Sequence, residues 1–159
     1  NRTGCILMIV YRIAKKEYIE DLSGNGAKRT CGRWNPKGIP VLYCASTSSI
    51  AILEKLVSID MDLLPDDLCI AALEIPKSKI LKIPEEELPK NWNHYPSPDA
   101  LKSIGKSWIA LGNYCTLQIP SAVNPLESNY LINVKHPLME KIKIKEVTPF
   151  RIDNRLSKY

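Results

Sequence analysis

Gly38-Ile39-Pro40-Val41-Leu42-Tyr43-Cys44-Ala45-Ser46-Thr47-Ser48-Ser49-Ile50-Ala51-Ile52-Leu53-Glu54-Lys55-Leu56-Val57 changes its hydrophobic period half-way along. Pro40 to Ala45 is a short apolar run with a branched and an aromatic residue, as a strand requires. Ser46 to Ser49 then supply four consecutive hydroxyls able to cap the free N–H groups of a helix start. The period shifts towards 3.6, which predicts a helix over 48–58. On that helix Ile50, Leu53, Leu56 and Val57 make the apolar stripe, and Glu54 falls at its border. A strand delivered straight into a capped helix is one half of an α+β fold.

Working outward, further strands are predicted at Met8 to Ile13, Leu68 to Ile75, Tyr114 to Ile119, Tyr130 to Val134 and Ile142 to Val147. A second helix is predicted from Ala100 to Leu111. Ser97-Pro98-Asp99 opens it with a capping hydroxyl, a proline suited to the first turn and an acid suited to the dipole, and Gly112 stops it. Pro84, Pro89, Pro96 and Pro98 crowd the stretch 83–99 together with four acids, so it reads as a surface connection. Short strands with proline-rich joints, and no regular strand–helix alternation, point to α+β. The sheet expected is mixed, mostly antiparallel and split, with a few helices.

The chain has 159 residues, the size of one domain. A 45% hydrophobic content excludes disorder, and no apolar run approaches the roughly 20 residues of a membrane span. The net charge of +5 is too small and dispersed to indicate a nucleic-acid surface. Five cysteines, odd in number and without a Cys-x-x-Cys pair, read as free thiols of a reducing cytoplasm. His94 and His136 lie far apart, so no metal site is expected. Residues 1–7 are read as derived from an expression vector, with Met8 as the natural start and 8–159 as the single domain.

The densest chemistry lies at Gly24-Asn25-Gly26-Ala27 and Gly32-Arg33-Trp34-Asn35-Pro36-Lys37-Gly38. Glycines let a ligand approach the backbone, Arg33 offers a planar fork for phosphate oxygens and Trp34 a stacking surface. A glycine-rich turn with a surface arginine accounts for the same residues. Tyr43 is either core or a pocket wall. Glu54 is either a helix-edge acid or a carboxylate held in a partly dry cleft. Ser121, after Pro120 at a strand end, lacks the flanking glycines of a hydrolase elbow and is not read as a nucleophile. His136 is read as structural, and Asp153 with Arg155 as a local ion pair.

Taken together and in this order, these residues resemble the RES domain, named for its Arg, Glu and Ser, the toxin half of a bacterial toxin–antitoxin pair. The resemblance runs from Tyr11-Arg12 through both glycine clusters, Val41-Leu42-Tyr43, Ala51-x-Leu53-Glu54 and Pro120-Ser121. It continues through Asn129-Tyr130-Leu131-Ile132-Asn133 and His136-Pro137 to Asp153-x-Arg155-Leu156. Cys31 departs from it, standing where the family often has glycine. The resemblance implies an ADP-ribosyltransferase-like fold with a cleft for NAD+, which is substrate rather than cofactor. It also implies a cytoplasmic toxin and a cognate antitoxin with a helix-turn-helix DNA-binding domain. The name-giving triple falls on Arg33, Glu54 and Ser121, the expected catalytic group. Arg12, Arg33, Tyr43 and Ser121 are expected to bind substrate. The activity implied is NAD+ consumption at the nicotinamide–ribose bond, as a phosphorylase using inorganic phosphate or a glycohydrolase using water. Two alternatives stand beside it: an ADP-ribosyltransferase acting on a protein, and a small basic module that binds nucleic acid or protein without catalysis.

Overall fold

The computed structural model describes residues 4–158, apart from the side chains of the last two. Residues 1–3 of the segment read as vector-derived, and Tyr159 at the far end of the domain, lie outside the described residues. The strands are β1 (Leu7–Lys15), β2 (Leu42–Ala45), β3 (Leu68–Pro76), β4 (Ile80–Lys82), β5 (Thr116–Pro120), β6 (Ser128–Ile132) and β7 (Lys143–Pro149). The helices are α1 (Asn25–Thr30), α2 (Ser48–Ser58) and α3 (Asp99–Leu111), joined by several short 3₁₀ turns. The strands form one seven-stranded sheet in the order β4-β5-β6-β2-β1-β3-β7. Every pairing is antiparallel except β4 with β5.

The central seam positions the candidate site. β1 pairs with β3 along its whole length, from Leu7 against Pro76 to Lys15 against Leu68. β2 likewise pairs with β6 throughout. Between β1 and β2, however, the ladder is a single pair, Tyr11 with Ala45. The sheet is therefore two well-bonded halves touching at one rung, the split arrangement expected from the sequence.

Strand alternation distributes the core over both faces. Val10 on β1, Leu42 and Cys44 on β2, Ala71, Leu73 and Ile75 on β3, and Tyr130 and Ile132 on β6 fill one face. Leu117, Ile119 and Leu131 fill the other, with Trp34, Trp92, and Leu101 and Trp108 of α3. Ala45, Ile50 and Ala51 join α2 to Tyr11 and Ile13 on that second face. α3 sits so tightly that a Cβ at Gly105 would run into the Trp34 carbonyl. It ends at Gly112 with φ +67°, the left-handed stop predicted for it.

Several elements differ from the sequence expectations. Asn25–Thr30, read as a glycine-rich turn, is a short helix. β4 was not expected, because three residues carry no period and only the parallel ladder to β5 holds them extended. β1 begins at Leu7, and the Ile6 carbonyl accepts from Lys77 N–H, so the end of the segment excluded from the fold reading joins the sheet. The connection 83–99 buries Leu88 and Trp92 in the second core. Among the described residues no helix is long and apolar enough to cross a membrane.

Candidate active site

Where β1 and β2 part, a cavity of ≈ 250 Å³ opens on the α2 side of the sheet. Tyr11, Ile13, Tyr43, Ala45 and Asn129 line it from the strands, and Ala51, Glu54, Lys55 and Ser58 from α2. The four helix positions are spaced i, i+3, i+4, i+7, which is one face of an α-helix. The expected apolar stripe is thereby corrected. Ile50 is buried, but Leu53 is 39% and Val57 66% exposed, and the inward face carries an acid, a base and a serine. Hydrophobic period fails here because a helix that walls a polar cleft turns polar groups inward.

Glu54 is held by two donors. The Ser121 hydroxyl donates to Glu54 Oε1 at 2.7 Å and the Asn129 amide donates to the same oxygen at 2.8 Å. Ser121 is fully buried, and its oxygen accepts from the backbone N–H groups of Val123 and Asn124 at 3.2 Å each. The loop thus locks the serine and the serine locks the carboxylate. Glu54 Oε2 has no protein partner among the described residues.

Tyr43 is both wall and strut. Its ring lines the cavity while its hydroxyl donates to Asn35 Oδ1 at 2.6 Å and accepts from Trp34 N–H at 3.1 Å. Burial pushes the Tyr43 hydroxyl well above its ordinary value, so it stays a proton donor. Asn35 completes the strut: its amide donates to the carbonyls of Ala27, Pro36 and Ile39 at 2.9, 3.3 and 3.1 Å. Gly32 is needed beside it, since a Cβ there would sit 2.6 Å from the Tyr43 oxygen. Trp34, read as a stacking surface, is 2% exposed in the second core and is not among the cavity walls.

The arginines stand one layer back. Arg33 donates through Nη1 to the carbonyls of Trp92 and His94 at 3.0 and 2.9 Å. Its charge reaches the Tyr43 hydroxyl, which connects it to the cavity without making it a wall. Arg12 alternates onto the same side of β1 as Val10 and donates through Nη1 to Tyr18 and Ile19, at 3.1 and 2.9 Å. It is not a wall residue either, although at the seam its charge acts on Cys44 and Lys55. Glu54 and Tyr43 therefore meet at one cavity, with Ser121 bonded to Glu54 from outside its walls, Arg33 behind Tyr43 and Arg12 behind the seam.

The sequence reading missed Asn129 and Lys55 as site residues. Asn129 was visible as a polar residue two places before Leu131, on the same strand face. Lys55 was hidden by the misassigned stripe. Elsewhere, His136 Nδ1 accepts from Leu138 N–H at the start of a 3₁₀ turn, and Asp153 pairs with Arg155 at 2.9 Å on the surface, both structural as expected. Among the described residues no three His, Cys, Asp or Glu side chains converge as metal ligands would.

Residues 9–153 match the RES domain. The chain belongs to the RES domain family. A toxin Res of Photorhabdus laumondii is 35% identical to this RES chain over 153 residues, covering 95% of it and 98% of the relative. A Prs ADP-ribosylating toxin of a Sphingobium species is 35% identical over 141 residues, 86% of the chain and 87% of the relative. The crystal structure of the MbcT–MbcA toxin–antitoxin complex of M. tuberculosis superposes with a TM-score of 0.76 at 15% identity, covering 92% of this chain and 85% of that one. The split mixed sheet is thus the ADP-ribosyltransferase-like fold of a RES domain.

Proposed function

We propose that this RES domain is the toxin of a toxin–antitoxin pair, acting in the cytoplasm, and that it consumes NAD+ by breaking the nicotinamide–ribose bond. The observation that carries the reading is the Glu54 carboxylate, tied on one oxygen by Ser121 and Asn129 inside a cavity walled by Tyr43. When the C–N bond breaks, its electron pair leaves with a neutral nicotinamide and the ribose carbon becomes cationic, as in glycoside hydrolysis. A fixed carboxylate beside that carbon stabilises the developing charge without having to reorganise. An oxygen then bonds to the carbon: water does so and gives up a proton to solvent, whereas phosphate dianion bonds through an oxygen that carries none. Neither a resident cofactor nor a strong general acid enters these steps.

The cavity is smaller than the roughly 300–1,000 Å³ of a drug-sized pocket, which suits the nicotinamide–ribose end of the dinucleotide. In this reading Arg33, behind Tyr43 with Nε and Nη2 uncommitted among the described residues, takes the diphosphate outside the cavity. Ser121 acts as the carboxylate's anchor in this scheme, with Tyr43 packed on the nicotinamide end. The partner is an antitoxin carrying a helix-turn-helix domain. The kinship with an ADP-ribosylating toxin supports a second reading, transfer of the ADP-ribosyl group to a protein from the same cavity.

Chromatography of products from NAD+ labelled in its adenosine half, with and without phosphate, tests both. Free ADP-ribose or its phosphate supports cleavage, and label retained on an added protein supports transfer. If the label stays in intact NAD+ under every condition, both readings fail.

A further inference from the structure

Lys55 is the charged wall residue that the scheme above leaves without a task. It shares the inward face of α2 with Ala51, Glu54 and Ser58 and stands half-buried in the cavity. It makes no ion pair: the salt bridges among the described residues are Lys145 with Glu74 and Arg155 with Asp153. Glu54, its neighbour in sequence, lines the same cavity but makes no ion-pair contact with it, and that carboxylate bonds Ser121 and Asn129 through Oε1. Burial, and after it the Arg12 charge, pushes the Lys55 ammonium below its ordinary value. A partly desolvated ammonium with no ion-pair partner, within electrostatic reach of the Arg12 charge, is stabilised when an anion joins it.

We propose that Lys55 forms an anion subsite inside the cavity, which takes a phosphoryl oxygen in contact with its ammonium. The proposal rests on the NAD+ reading for the source of that oxygen: the diphosphate of the dinucleotide, or free phosphate entering as acceptor. Phosphoryl chemistry fits because a compact ammonium with three donors binds such oxygens as a point charge and needs no planar partner. Position fits as well. Glu54 and Lys55 are about 100° apart on the helix, so one wall offers a carboxylate to the ribose and an ammonium to a phosphoryl group displaced around the helix from it.

The test is titration calorimetry of the full chain with two probes used separately, ADP-ribose and inorganic phosphate. Wild type is compared with Lys55→Met, Lys55→Arg and Lys106→Met, the last removing an exposed lysine of α3 for the same change in net charge. Lys55→Met is expected to weaken at least one probe about tenfold, the loss of one charge-assisted contact, and Lys55→Arg to restore most of it. Weakening of ADP-ribose alone assigns the subsite to the diphosphate. Weakening of phosphate alone assigns it to the acceptor. The proposal is overturned if wild type binds neither probe, if Lys55→Met binds both as wild type does, or if Lys106→Met weakens them equally. Thermal unfolding of each variant confirms that a folded protein was titrated. A chain that binds as expected yet leaves NAD+ intact would refute the cleavage reading while this subsite stands. Full turnover with unaltered probe binding by Lys55→Met would do the reverse.

Discussion

Replacing Glu54 by glutamine separates the charge of the carboxylate from its place in the fold. Glutamine has the same shape, and its carbonyl oxygen can take the position of Oε1, still accepting from Ser121 at 2.7 Å and Asn129 at 2.8 Å. Each contact changes from charge-assisted to neutral, a difference of about 1 kcal/mol, so the variant is expected to lose roughly 2 kcal/mol of stability and remain folded. The cationic ribose, by contrast, loses its only proposed counter-charge, and nicotinamide release should fall by ~100-fold or more, the scale of removing one preorganised electrostatic contact. Glu54→Ala differs in kind. It strands the buried Ser121 hydroxyl, at about 1–3 kcal/mol, and frees the half-buried Asn129 amide to the cavity. The assay pairs initial rates of nicotinamide release by chromatography with urea unfolding of the same preparations. A glutamine variant within about threefold of the wild-type rate would refute the role of the charge. An alanine variant as stable as the glutamine one would refute the hydrogen-bond account.

Other expectations follow from the same geometry. Asn129→Ala removes one of the two bonds that orient Glu54, so kcat should drop about tenfold with KM little changed, and a matching rise in KM would instead mark Asn129 as a binding contact. Cys31 holds φ +58° and ψ 170°, a region that favours glycine, so Cys31→Gly should raise stability by about 1 kcal/mol in urea unfolding, and a loss would refute strain at that position. Gly105→Ala should destabilise the chain strongly, since the new Cβ meets backbone of the Trp34 segment and not a movable side chain; an unchanged melting temperature would contradict the seating of α3. Burial pushes the Cys44 thiol up to about 12 from an ordinary 9.0, so above pH 9 the unfolded chain loses the proton first and stability falls as pH rises. The slope approaches about 1.4 kcal/mol per pH unit for this group, and Cys44→Ala should flatten the decline in unfolding midpoint between pH 8 and 10.5.

How much of this could be read from the sequence differs sharply between residues. The capped start of α2 was legible because Ser46 to Ser49 declare it chemically, and the Thr47 hydroxyl does accept from Ile50 N–H at 3.2 Å. Gly112 likewise announced the end of α3. Arg33, Glu54, Ser121, Tyr43 and Arg12 were reached through an ordered set of motifs over most of the chain. Their juxtaposition was not legible, since 67 positions separate Ser121 from Glu54.

The amino-acid sequence by itself determined most of the local units: six of the seven strands, the bounds of α2 and α3, and with them the α+β class. These follow from interactions among near neighbours, whose rules period and capping express. Tertiary structure alone decided the rest. It reduced the β1–β2 ladder to one rung at Tyr11 and Ala45 and turned the polar side of α2 inward. It buried Trp34, set Arg12 behind the seam, and brought Asn129 onto the carboxylate. The physical reason is that a cleft is a place where the sheet declines to close. Which side chains face it depends on how two separately bonded halves come to rest against each other, and no window along the chain contains that information.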